Sequence, residues 1–468
     1  MWTFFIHLNH GRETFNFLSA LGRELEKKHN VIYILESELC FKMYSYFFDG
    51  RTYEIWPNCD EIVSNEYSNL NKDINYWEYL YPDIDRENWI GNNSGRKLDW
   101  YRSYISVSLN WLEFIFNKYD VKAVIYEQFT TAPAFLLGEV AKKRGIKYFG
   151  LQQSRIPGRF EIHEGKYSFI DLVTEKYQNI KKTGVTQSLK EQYLEVLRYK
   201  KNLINIEPSY MKPASYYIGS LTEILKSNFL SKVCFFIKNY KLRSYQVPSP
   251  LSYSYNRLKN KVKKIKNYKY YLRLTSCPEI EKYMVYPLQY HPEASTSVYA
   301  KNFDDELNTI KNIAYNLPMD FILYVKEHRA ALGIRSKRFY KEIAKLPNVK
   351  LIKHDVNTKE LIKNSKGVIT LTSTVGYEAI ILGKPVIVLG RVFYEQAYGV
   401  YRPKKWEDIF SIIKNKVNNF VSNDEEVVKF LLAYWLSTYE GNVFVDGAEE
   451  INNIRKVTNI IEELLRNE

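Results

Sequence analysis

Residues 367–389 read GVITLTSTVGYEAIILGKPVIVL, and in this stretch two continuous apolar segments flank a short helix-forming one. Strands that are apolar at every position are typical of parallel sheets, because helices cover both faces of such a sheet. Two parallel strands joined through a helix form a βαβ unit, and its connection is right-handed. The stretch therefore predicts an α/β fold.

The same alternation of apolar strands and helix-period segments occurs near both ends of the chain. Apolar strands are predicted over 4–8, 31–35, 123–126, 146–151, 282–288, 321–325, 349–352, 367–371 and 385–389. Helices are predicted over 15–28, 132–143, 303–317 and 457–465. We expect two doubly wound, Rossmann-like domains that face each other across a cleft.

Composition along the chain predicts where these domains begin and end. Residues 1–180 and 276–450 carry the strand–helix alternation, so each range is expected to be one Rossmann-like domain. Residues 181–275 are rich in Tyr and Lys and are interrupted by prolines, which predicts a basic helical linker. Residues 451–468 are expected to form a terminal helix.

The cysteines and the hydropathy pattern indicate the compartment. Cys40, Cys59, Cys234 and Cys277 form no C-x-x-C pair, so neither a zinc site nor a disulfide framework is predicted. No apolar stretch reaches the roughly 20 residues of a spanning helix. The first residues lack a basic segment before their apolar run, so we expect a first strand there rather than a signal peptide. A cytoplasmic location follows.

Positive charge is concentrated in the middle of the chain. The formal net charge is +14, and residues 226–278 contain thirteen Lys and Arg but no acidic residue. Apolar residues recur at helical spacing within this region, at positions 224, 225, 229, 233, 236 and 237. We expect residues 224–273 to bind an anionic membrane surface, peripheral to the inner face of the cytoplasmic membrane. A helix packed on its own protein explains the apolar face equally well, but not the missing acids.

Nucleic acid is an alternative partner for the same region. Lysines between Lys259 and Lys269 are interleaved with tyrosines, a pattern that suits single-stranded nucleic acid. No nucleic-acid-binding motif accompanies it, so we expect no nucleic-acid partner.

Hydroxyl residues open the helix of the first stretch. Thr372, Ser373 and Thr374 follow a predicted strand, so they are expected to cap backbone N–H groups at a helix N-terminus that favours an anion. Gly376 is expected to let a phosphate or ribose approach closely. Glu378 stands at a position that cannot complete a capping box with these hydroxyls, so a ribose diol is its expected partner. The alternative is that the hydroxyls only cap the helix and Glu378 bonds a neighbouring loop.

Two further polar clusters follow predicted strands. Lys326 and His328 are expected to neutralise a phosphate leaving group, and His328 to protonate it. The alternative there is a solvated charged loop. His291 and Glu293 follow the strand that ends at 288 and are also candidates for donor binding; the alternative is a structural turn.

The strands of the N-terminal domain end in candidates for acceptor binding and catalysis. Glu127 directly follows an apolar strand, where desolvation would raise its pKa and make it a base. The alternative is an ion pair between Glu127 and Arg155. The candidates for binding the acceptor are His10, Gly11, Arg12, Gln153 and Arg155.

Several segments together resemble a known family. In chain order they are YHPEASTSVYA, YVKEHRAALGIRSKRFYKEI, PNVKLI and TSTVGYEAIILGKPVIVLGRVFY. These segments resemble the capsular polysaccharide synthesis family, whose studied members are β-Kdo transferases that use CMP-Kdo on a GT-B fold. The resemblance covers 283–394. It implies contacts between the donor nucleotide and five residues, namely Lys326, His328, Ser373, Thr374 and Glu378.

The chain departs from the family pattern in two places. Arg329 stands where a proline usually follows the histidine, and Glu395-Gln396-Ala397-Tyr398 replaces a common Trp-Gly-Leu-Thr segment.

The residues and the resemblance together predict a glycosyltransferase of bacterial capsule or surface polysaccharide synthesis. It would transfer a sugar, such as Kdo from CMP-Kdo, from a nucleotide donor to a glycan or lipid-linked acceptor. The nucleotide sugar is a substrate, so no cofactor is expected, and cationic side chains are expected to replace a metal. The alternatives are a nucleotide-sugar 2-epimerase of the same fold and, more distantly, a nucleic-acid-binding protein.

Overall fold

The computed structural model describes residues 1–58, 70–90, 95–205, 234–235, 237–239, 242, 245 and 250–467. The chain divides into two compact units. The first comprises Met1–Phe169, Ser231–Asn256 and Ser437–Glu468, and the second comprises Ile170–Leu230 and Arg257–Leu436.

A mixed sheet forms the centre of the first unit. Among the described residues its strand order is β13-β6-β5-β4-β1-β2-β3, with β1 to β5 parallel and β6 and β13 antiparallel. The strands are β1 (Thr3–Leu8), β2 (Asn30–Leu35), β3 (Tyr53–Ile55), β4 (Ala123–Glu127), β5 (Lys147–Gln153), β6 (Arg159–His163) and β13 (Tyr439–Glu440). In β1, β2 and β4 nearly every residue is buried, as expected of strands covered on both faces.

Helices cover this first sheet, and the last helix of the chain packs against the first. They are α1 (Arg12–Leu25), α2 (Glu38–Tyr44), α3 (Trp77–Ile90), α4 (Leu98–Lys118), α5 (Ala132–Lys143) and α16 (Ile451–Arg466). A 3₁₀ turn occupies Ser45–Phe47.

The second unit is built on a wholly parallel sheet. Among the described residues its order is β12-β11-β10-β7-β8-β9. The strands are β7 (Tyr283–Pro287), β8 (Ile322–Lys326), β9 (Val349–Ile352), β10 (Gly367–Thr370), β11 (Val386–Val388) and β12 (Val400–Tyr401). Their apolar side chains share one core with the helices Glu306–Tyr315 and Lys337–Ala344 and with the π-helical turn Ile413–Val417.

Among the helices whose bounds the structure describes, the remaining ones belong to the second unit, apart from the first residues of α6 and α8. They are α6 (Ser168–Thr183), α7 (Lys190–Asn205), α8 (Pro250–Leu274), α9 (Ala294–Ser297), α10 (Glu306–Tyr315), α11 (Lys337–Ala344), α12 (Thr358–Asn364), α13 (Thr374–Ile381), α14 (Asp408–Ile412) and α15 (Asp424–Leu436). Further 3₁₀ turns occupy Gln187–Leu189, Lys301–Phe303 and Arg329–Ala331.

The predicted α/β fold with two Rossmann-like halves is confirmed, and most predicted strands differ from the observed ones by one or two residues. The two units differ from the predicted domain ranges in three places. Residues 170–180 belong to the second unit, and the predicted linker is divided, with 231–256 in the first unit and 181–230 and 257–275 in the second. Residues 437–450 belong to the first unit. The predicted terminal helix is part of the first unit, because its buried Ile454, Val457 and Ile461 belong to a helix that packs on α1.

Part of the predicted membrane-binding segment lies outside the described residues, including positions 224, 225, 229, 233 and 236. Over the described ranges, no helix combines the length and the apolarity needed to cross a bilayer. Nor does the described part of the chain hold a cluster of three or more His, Cys, Asp or Glu side chains able to bind a metal ion.

Candidate functional site

The three polar clusters of the second unit follow three neighbouring strands. β10, β7 and β8 lie side by side and parallel, so their carboxyl ends meet at one edge of the sheet. That edge carries the turn 371–374, the segment 288–293 and the loop 327–329. In open parallel sheets this edge is where ligands bind.

The turn after β10 is organised by hydroxyl groups. Ser373 is the N-cap of α13, and its Oγ accepts a hydrogen bond of 3.2 Å from the backbone N of Val375. The backbone N of Ser373 donates to Oγ1 of Thr370 at 3.1 Å. Thr372 turns away, and its Oγ1 donates to the carbonyl oxygen of Ser295 at 2.8 Å. The predicted capping role is thus seen for Ser373, while Thr374 is the first residue of the helix.

The space beside Gly376 is taken by a side chain of the protein. A Cβ atom at Gly376 would lie 2.4 Å from the hydroxyl oxygen of Tyr394, whose ring is fully buried. The sequence-based reason for this glycine, room for a ligand, is therefore wrong, because the room holds Tyr394. The glycine still shapes the turn, since Tyr394 bonds the carbonyl group of Ser373.

Glu378 lies one turn into α13 and is partly buried. No hydrogen bond reaches its carboxylate from the residues that the structure describes. Burial raises its pKa, and the positive charge of Lys359 opposes that shift. The alternative in which Glu378 bonds a neighbouring loop is therefore not seen within the described residues.

Lys326 ends β8 as a buried cation. Its Nζ donates a hydrogen bond of 2.9 Å to the carbonyl oxygen of His354, and no carboxylate among the described residues forms an ion pair with it. Burial, and next the charge of Arg329, lower the pKa of Lys326 to about 8. An ammonium group with unused donors in such a place favours an anionic ligand.

His328 is exposed at the surface, yet protein atoms surround much of its ring. Burial, then the charges of Arg335 and Lys326, lower the pKa of His328 to about 4. Its Nδ1 accepts a hydrogen bond of 3.2 Å from the backbone N of Ala330, so the proton of the neutral ring lies on Nε2. At neutral pH the group is a hydrogen-bond donor, which differs from the proton-donating role predicted for it.

His291 and Glu293 organise the turn after β7. The Nδ1 of His291 lies 3.0 Å from Oγ1 of Thr296. Glu293 is the N-cap of α9, and its backbone N donates to the same Oγ1 at 3.3 Å. These bonds favour the alternative of a structural turn for the two residues.

A buried ionic network beneath the edge was missed by the sequence analysis. Arg335 donates from Nη1 to Oε1 of Glu327 at 2.6 Å and from Nη2 to Glu306, and all three side chains are buried. Arg335 also donates to the carbonyl oxygen of Gln289 at 2.7 Å, while Tyr340 donates to Glu327 at 2.7 Å. The network ties the segments after β7 and β8 together. No sequence signal marks Arg335, which lies well beyond the strand end.

In the first unit, His10, Gly11 and Arg12 lie where β1 passes into α1. Gly11 is the N-cap of α1, and Arg12 begins the helix with an exposed side chain. The Nδ1 of His10 lies 3.0 Å from Oε2 of Glu36, which directly follows β2. The rule that selected Glu127, a carboxylate directly after an apolar strand, would also have found Glu36.

Glu127 is the last residue of β4. Its Oε1 accepts a hydrogen bond of 2.9 Å from the hydroxyl group of Thr130, and burial raises its pKa as predicted. The alternative ion pair with Arg155 is not formed among the described residues.

Gln153 and Arg155 lie at the other side of β4, on and after β5. The Nε2 of Gln153 donates to Arg159 and to Asn442, each at 3.1 Å, and its Oε1 accepts from the backbone N of Val443 at 2.8 Å. The antiparallel strand β6 and the segment after β13, which the sequence analysis missed, thus use this amide. That role differs from the acceptor contact predicted for Gln153. Arg155 is exposed on the following loop.

Comparison with known proteins confirms the resemblance read from the motifs. Residues 207–410, slightly under half of the chain, match the family described as capsule polysaccharide biosynthesis protein. The capsule polysaccharide modification protein LipB of Neisseria meningitidis serogroup A is 28% identical over 123 residues. That alignment covers 24% of this chain and 29% of LipB, so the chain spans less than a third of the length of this curated relative.

Two solved structures are similar over most of their length, at low identity. One is the β-Kdo 2,4 transferase KpsC of Thermosulfurimonas dismutans, at 16% identity and a TM-score of 0.34, covering 73% of this chain and 87% of that one. The other is the UDP-GlcNAc 2-epimerase of Neisseria meningitidis bound to UDP-GlcNAc, at 12% identity and a TM-score of 0.29, with both chains covered in full.

Proposed function

From the capsule polysaccharide biosynthesis region at residues 207–410, we propose that the protein is a glycosyltransferase of bacterial capsule or surface polysaccharide synthesis. The second unit binds a nucleotide-sugar donor at the carboxyl edge of its parallel sheet. The first unit binds the glycan or lipid-linked acceptor.

The buried Lys326 is the observation on which the donor site mainly rests. Among the described residues, its ammonium group donates a hydrogen bond only to the carbonyl oxygen of His354, at a sheet edge that suits a ligand. Burying a cation costs free energy unless an opposite charge compensates it. A phosphate group supplies that charge.

The neighbouring groups fit the rest of a nucleotide. The N-terminus of α13, with the hydroxyl groups of Ser373 and Thr374, suits a phosphate. The carboxylate of Glu378 accepts no hydrogen bond from the described residues, and a ribose diol offers two donors. The neutral His328 donates from Nε2 and stabilises the negative charge that develops on the leaving group. His291, Glu293 and Gly376 shape the edge around these groups.

The charges at this edge also support a transfer without a metal ion or cofactor. Lys326 and a helix N-terminus stabilise a phosphate leaving group by the same electrostatic means as a bound cation. CMP-Kdo is the donor proposed on the resemblance of residues 283–394, and the acceptor hydroxyl group is proposed to lose its proton to the first unit. Glu127 is the sequence-based candidate for the group that accepts this proton. The candidates for acceptor contacts remain His10, Gly11, Arg12 and Arg155.

Thermal unfolding with CMP, CDP, UDP and GDP, each in excess, tests the donor site. A ligand that binds only the folded state at a hundredfold over its Kd stabilises it by about 2.7 kcal/mol. We expect CMP to raise the unfolding temperature most, and the double variant Ser373→Ala, Thr374→Ala to lose the effect. Ser336→Ala is the control, because Ser336 is also an N-cap, with its Oγ accepting from the backbone N of Phe339, but it does not follow a strand. Equal shifts for the double variant and the wild type would refute the site.

Incubation of the protein with a nucleotide sugar, in the absence of an acceptor, distinguishes a transferase from a 2-epimerase. An epimerase converts its substrate alone, whereas a transferase requires an acceptor for the new bond. Accumulation of an epimeric nucleotide sugar without an acceptor would overturn the proposed function.

A further inference from the structure

His10 and Glu36 form a hydrogen-bonded pair at the carboxyl ends of β1 and β2. The Nδ1 of His10 lies 3.0 Å from Oε2 of Glu36. The carboxylate is almost completely buried, with a side-chain exposure of 1%, while 27% of the His10 side chain remains exposed. One member is thus sheltered from water, and the other is accessible to a ligand.

Among the described residues, the side chain of Glu36 accepts hydrogen bonds only from His10. Both hydrogen bonds that its side chain accepts come from this residue, one from Nδ1 and one of 3.4 Å from the backbone N. The other carboxylate oxygen, Oε1, is buried and has no hydrogen-bond partner within the described residues. Burying a carboxylate with a single partner lowers the stability of the folded state. A purely structural role therefore does not explain why the pair is present.

Residues other than Glu36 also hold the backbone around His10 in place. The hydroxyl group of Tyr44 donates a hydrogen bond of 3.2 Å to the carbonyl oxygen of His10. The backbone N of Gly11 donates to Oδ1 of Asn9 at 2.9 Å, and the Nδ2 of Asn9 donates to the hydroxyl oxygen of Tyr126 at 2.9 Å. The imidazole ring is therefore presented from a fixed turn, as a positioned base requires.

The pair leaves one ring nitrogen of His10 for chemistry. When Nδ1 donates to Glu36, the neutral ring carries its proton on Nδ1 and a lone pair on Nε2. A histidine oriented in this way by a carboxylate is the arrangement that accepts protons from hydroxyl groups in hydrolases. We propose that His10 is the catalytic base that deprotonates the acceptor hydroxyl group, and that Glu36 is the residue that positions it.

The step rests on the proposed transferase function. The acceptor O–H bond breaks and its proton moves to Nε2 of His10, while the oxygen forms a bond to the anomeric carbon of the donor. The bond from that carbon to the phosphate oxygen breaks, and its electron pair leaves with the nucleotide. His10 then returns its proton to water.

The surrounding charges favour this role for His10 over Glu127. Among the described residues, the charged or titratable groups around His10 and its partners Glu36 and Tyr44 include Glu127, His7, Arg12, Cys40 and Tyr126. Burial raises the pKa of Cys40, Tyr44 and Tyr126, so these three groups are neutral near neutral pH. Burial opposes the charged ring, but the carboxylate of Glu36, and after it that of Glu127, raise the pKa of His10 above its usual value. His7 is fully buried, and burial lowers its pKa to about 4, so it adds no positive charge near neutral pH. Glu127 thus strengthens His10 as a proton acceptor.

Three variants test the assignment: His10→Asn, Glu36→Gln and Glu127→Gln. Asparagine keeps a donor near the position of Nδ1 but lacks Nε2. We expect H10N to lower kcat at least a hundredfold with nucleotide affinity unchanged, and E36Q to lower kcat without raising KM. The matched control is Glu462→Gln, because Glu462 contacts His29 at 3.3 Å at the opposite, amino end of β2. We expect E462Q to keep wild-type turnover.

Titration of the His10 ring by NMR gives a readout that requires no turnover. Neutral His10 is the active form, so the acidic limb of the pH–kcat profile should follow its pKa. In E36Q both the NMR titration and this limb should move to lower pH, whereas E462Q should move neither.

Two outcomes overturn the assignment, and they differ from failure of the proposed function. A turnover within threefold of wild type in H10N, with a hundredfold loss in E127Q, would make Glu127 the base. An unchanged pKa of His10 in E36Q would show that the pair does not exist in solution. This outcome can be read even when no nucleotide sugar serves as a donor, because the titration requires no turnover. Absence of nucleotide binding by the wild type, with the titration shift intact, would instead refute the transferase.

Discussion

Tyr394 donates a hydrogen bond of 2.5 Å from its hydroxyl group to the backbone carbonyl oxygen of Ser373. Its ring is fully buried and takes the space that a side chain at position 376 would need. Two separate parts of the family-like motif, the glycine of α13 and the Phe-Tyr pair after β11, therefore meet at one point. The shape of the turn that caps α13 depends on both.

Replacement of Gly376 by alanine should destabilise the protein, although alanine is the better helix former. Its Cβ atom would collide with the Tyr394 side chain, and such overpacking costs about 1–3 kcal/mol. Nucleotide affinity should fall with it, because the turn at Ser373 must shift. Urea unfolding and nucleotide titration measure the two effects.

The control for Gly376→Ala is the same substitution combined with Tyr394→Phe. Tyr394→Phe removes the closest atom, so G376A should cost less in that background. Additive costs would show that the hydroxyl group of Tyr394 is not the obstacle.

Nucleotide affinity should depend on pH through Lys326. The pKa of Lys326 is about 8, and an anion favours the protonated form, so affinity is full below pH 8 and falls as the pH rises above it. A phosphate monoester is already ionised above pH 7 and cannot cause that change. Calorimetric titrations with CMP from about pH 6.5 to about pH 9.5 measure it.

Lys326→Met should weaken binding at pH 7 at least tenfold and abolish the pH dependence. Lys282→Met is the matched control, because Lys282 is an exposed lysine at the amino end of β7, paired with Asp320. A wild-type affinity that is constant up to pH 9.5 would contradict the assignment of Lys326 to the phosphate.

The buried ion pairs of Arg335 should matter more to stability than any exposed pair. Arg335→Met leaves Glu306 and Glu327 buried without their cation, which costs about 3–5 kcal/mol. Lys363→Met, which breaks an exposed pair with Glu360, should cost less than about 1 kcal/mol. Urea denaturation of both variants compares them, and equal losses would mean that the network is not sealed from water.

The sequence predicts that residues 224–273 bind an anionic membrane surface. We therefore expect the outer face of α8, which lies within that range, to bind anionic vesicles. The inner face packs on the second unit, since Tyr271 donates to the carbonyl oxygen of Ile352 at 2.7 Å and Asn267 donates to that of Gly333 at 3.2 Å. Among the side chains of the helix that the structure describes, the exposed cations are Lys259, Lys263, Lys266, Lys269 and Arg273. Each cation near an anionic surface contributes about 1 kcal/mol.

Co-sedimentation with phosphatidylcholine vesicles, with and without phosphatidylglycerol, measures this binding. Replacement of those five cations by glutamine should reduce binding to the anionic vesicles at least tenfold. A matched control replaces five exposed lysines of other segments, Lys181, Lys182, Lys190, Lys201 and Lys341. Equal binding to both kinds of vesicle, or to neither, would count against a membrane partner.

The periodicity of apolar residues was enough to predict the parallel strands of both units. Strands such as β9, predicted over the observed 349–352, and helices such as α5, predicted over 132–143, are local patterns, because burial on both faces leaves a continuous apolar run. The positions of Ser373, Lys326 and Glu127 at strand ends followed from the same patterns. The antiparallel strands β6 and β13 were missed because they pair with residues distant in the chain. The local periodicity of apolar residues does not predict such a pairing.

The sequence by itself determined the fold class, the family resemblance and the edge of the sheet on which the donor-site candidates lie. Only the tertiary structure decided what surrounds each side chain. It placed Tyr394 against Gly376, used the amide of Gln153 within its own unit, and paired His10 with the buried Glu36. Hydrogen bonding and desolvation depend on neighbours that are distant in the chain, so the partners and pKa values of these groups became apparent only once the chain had folded.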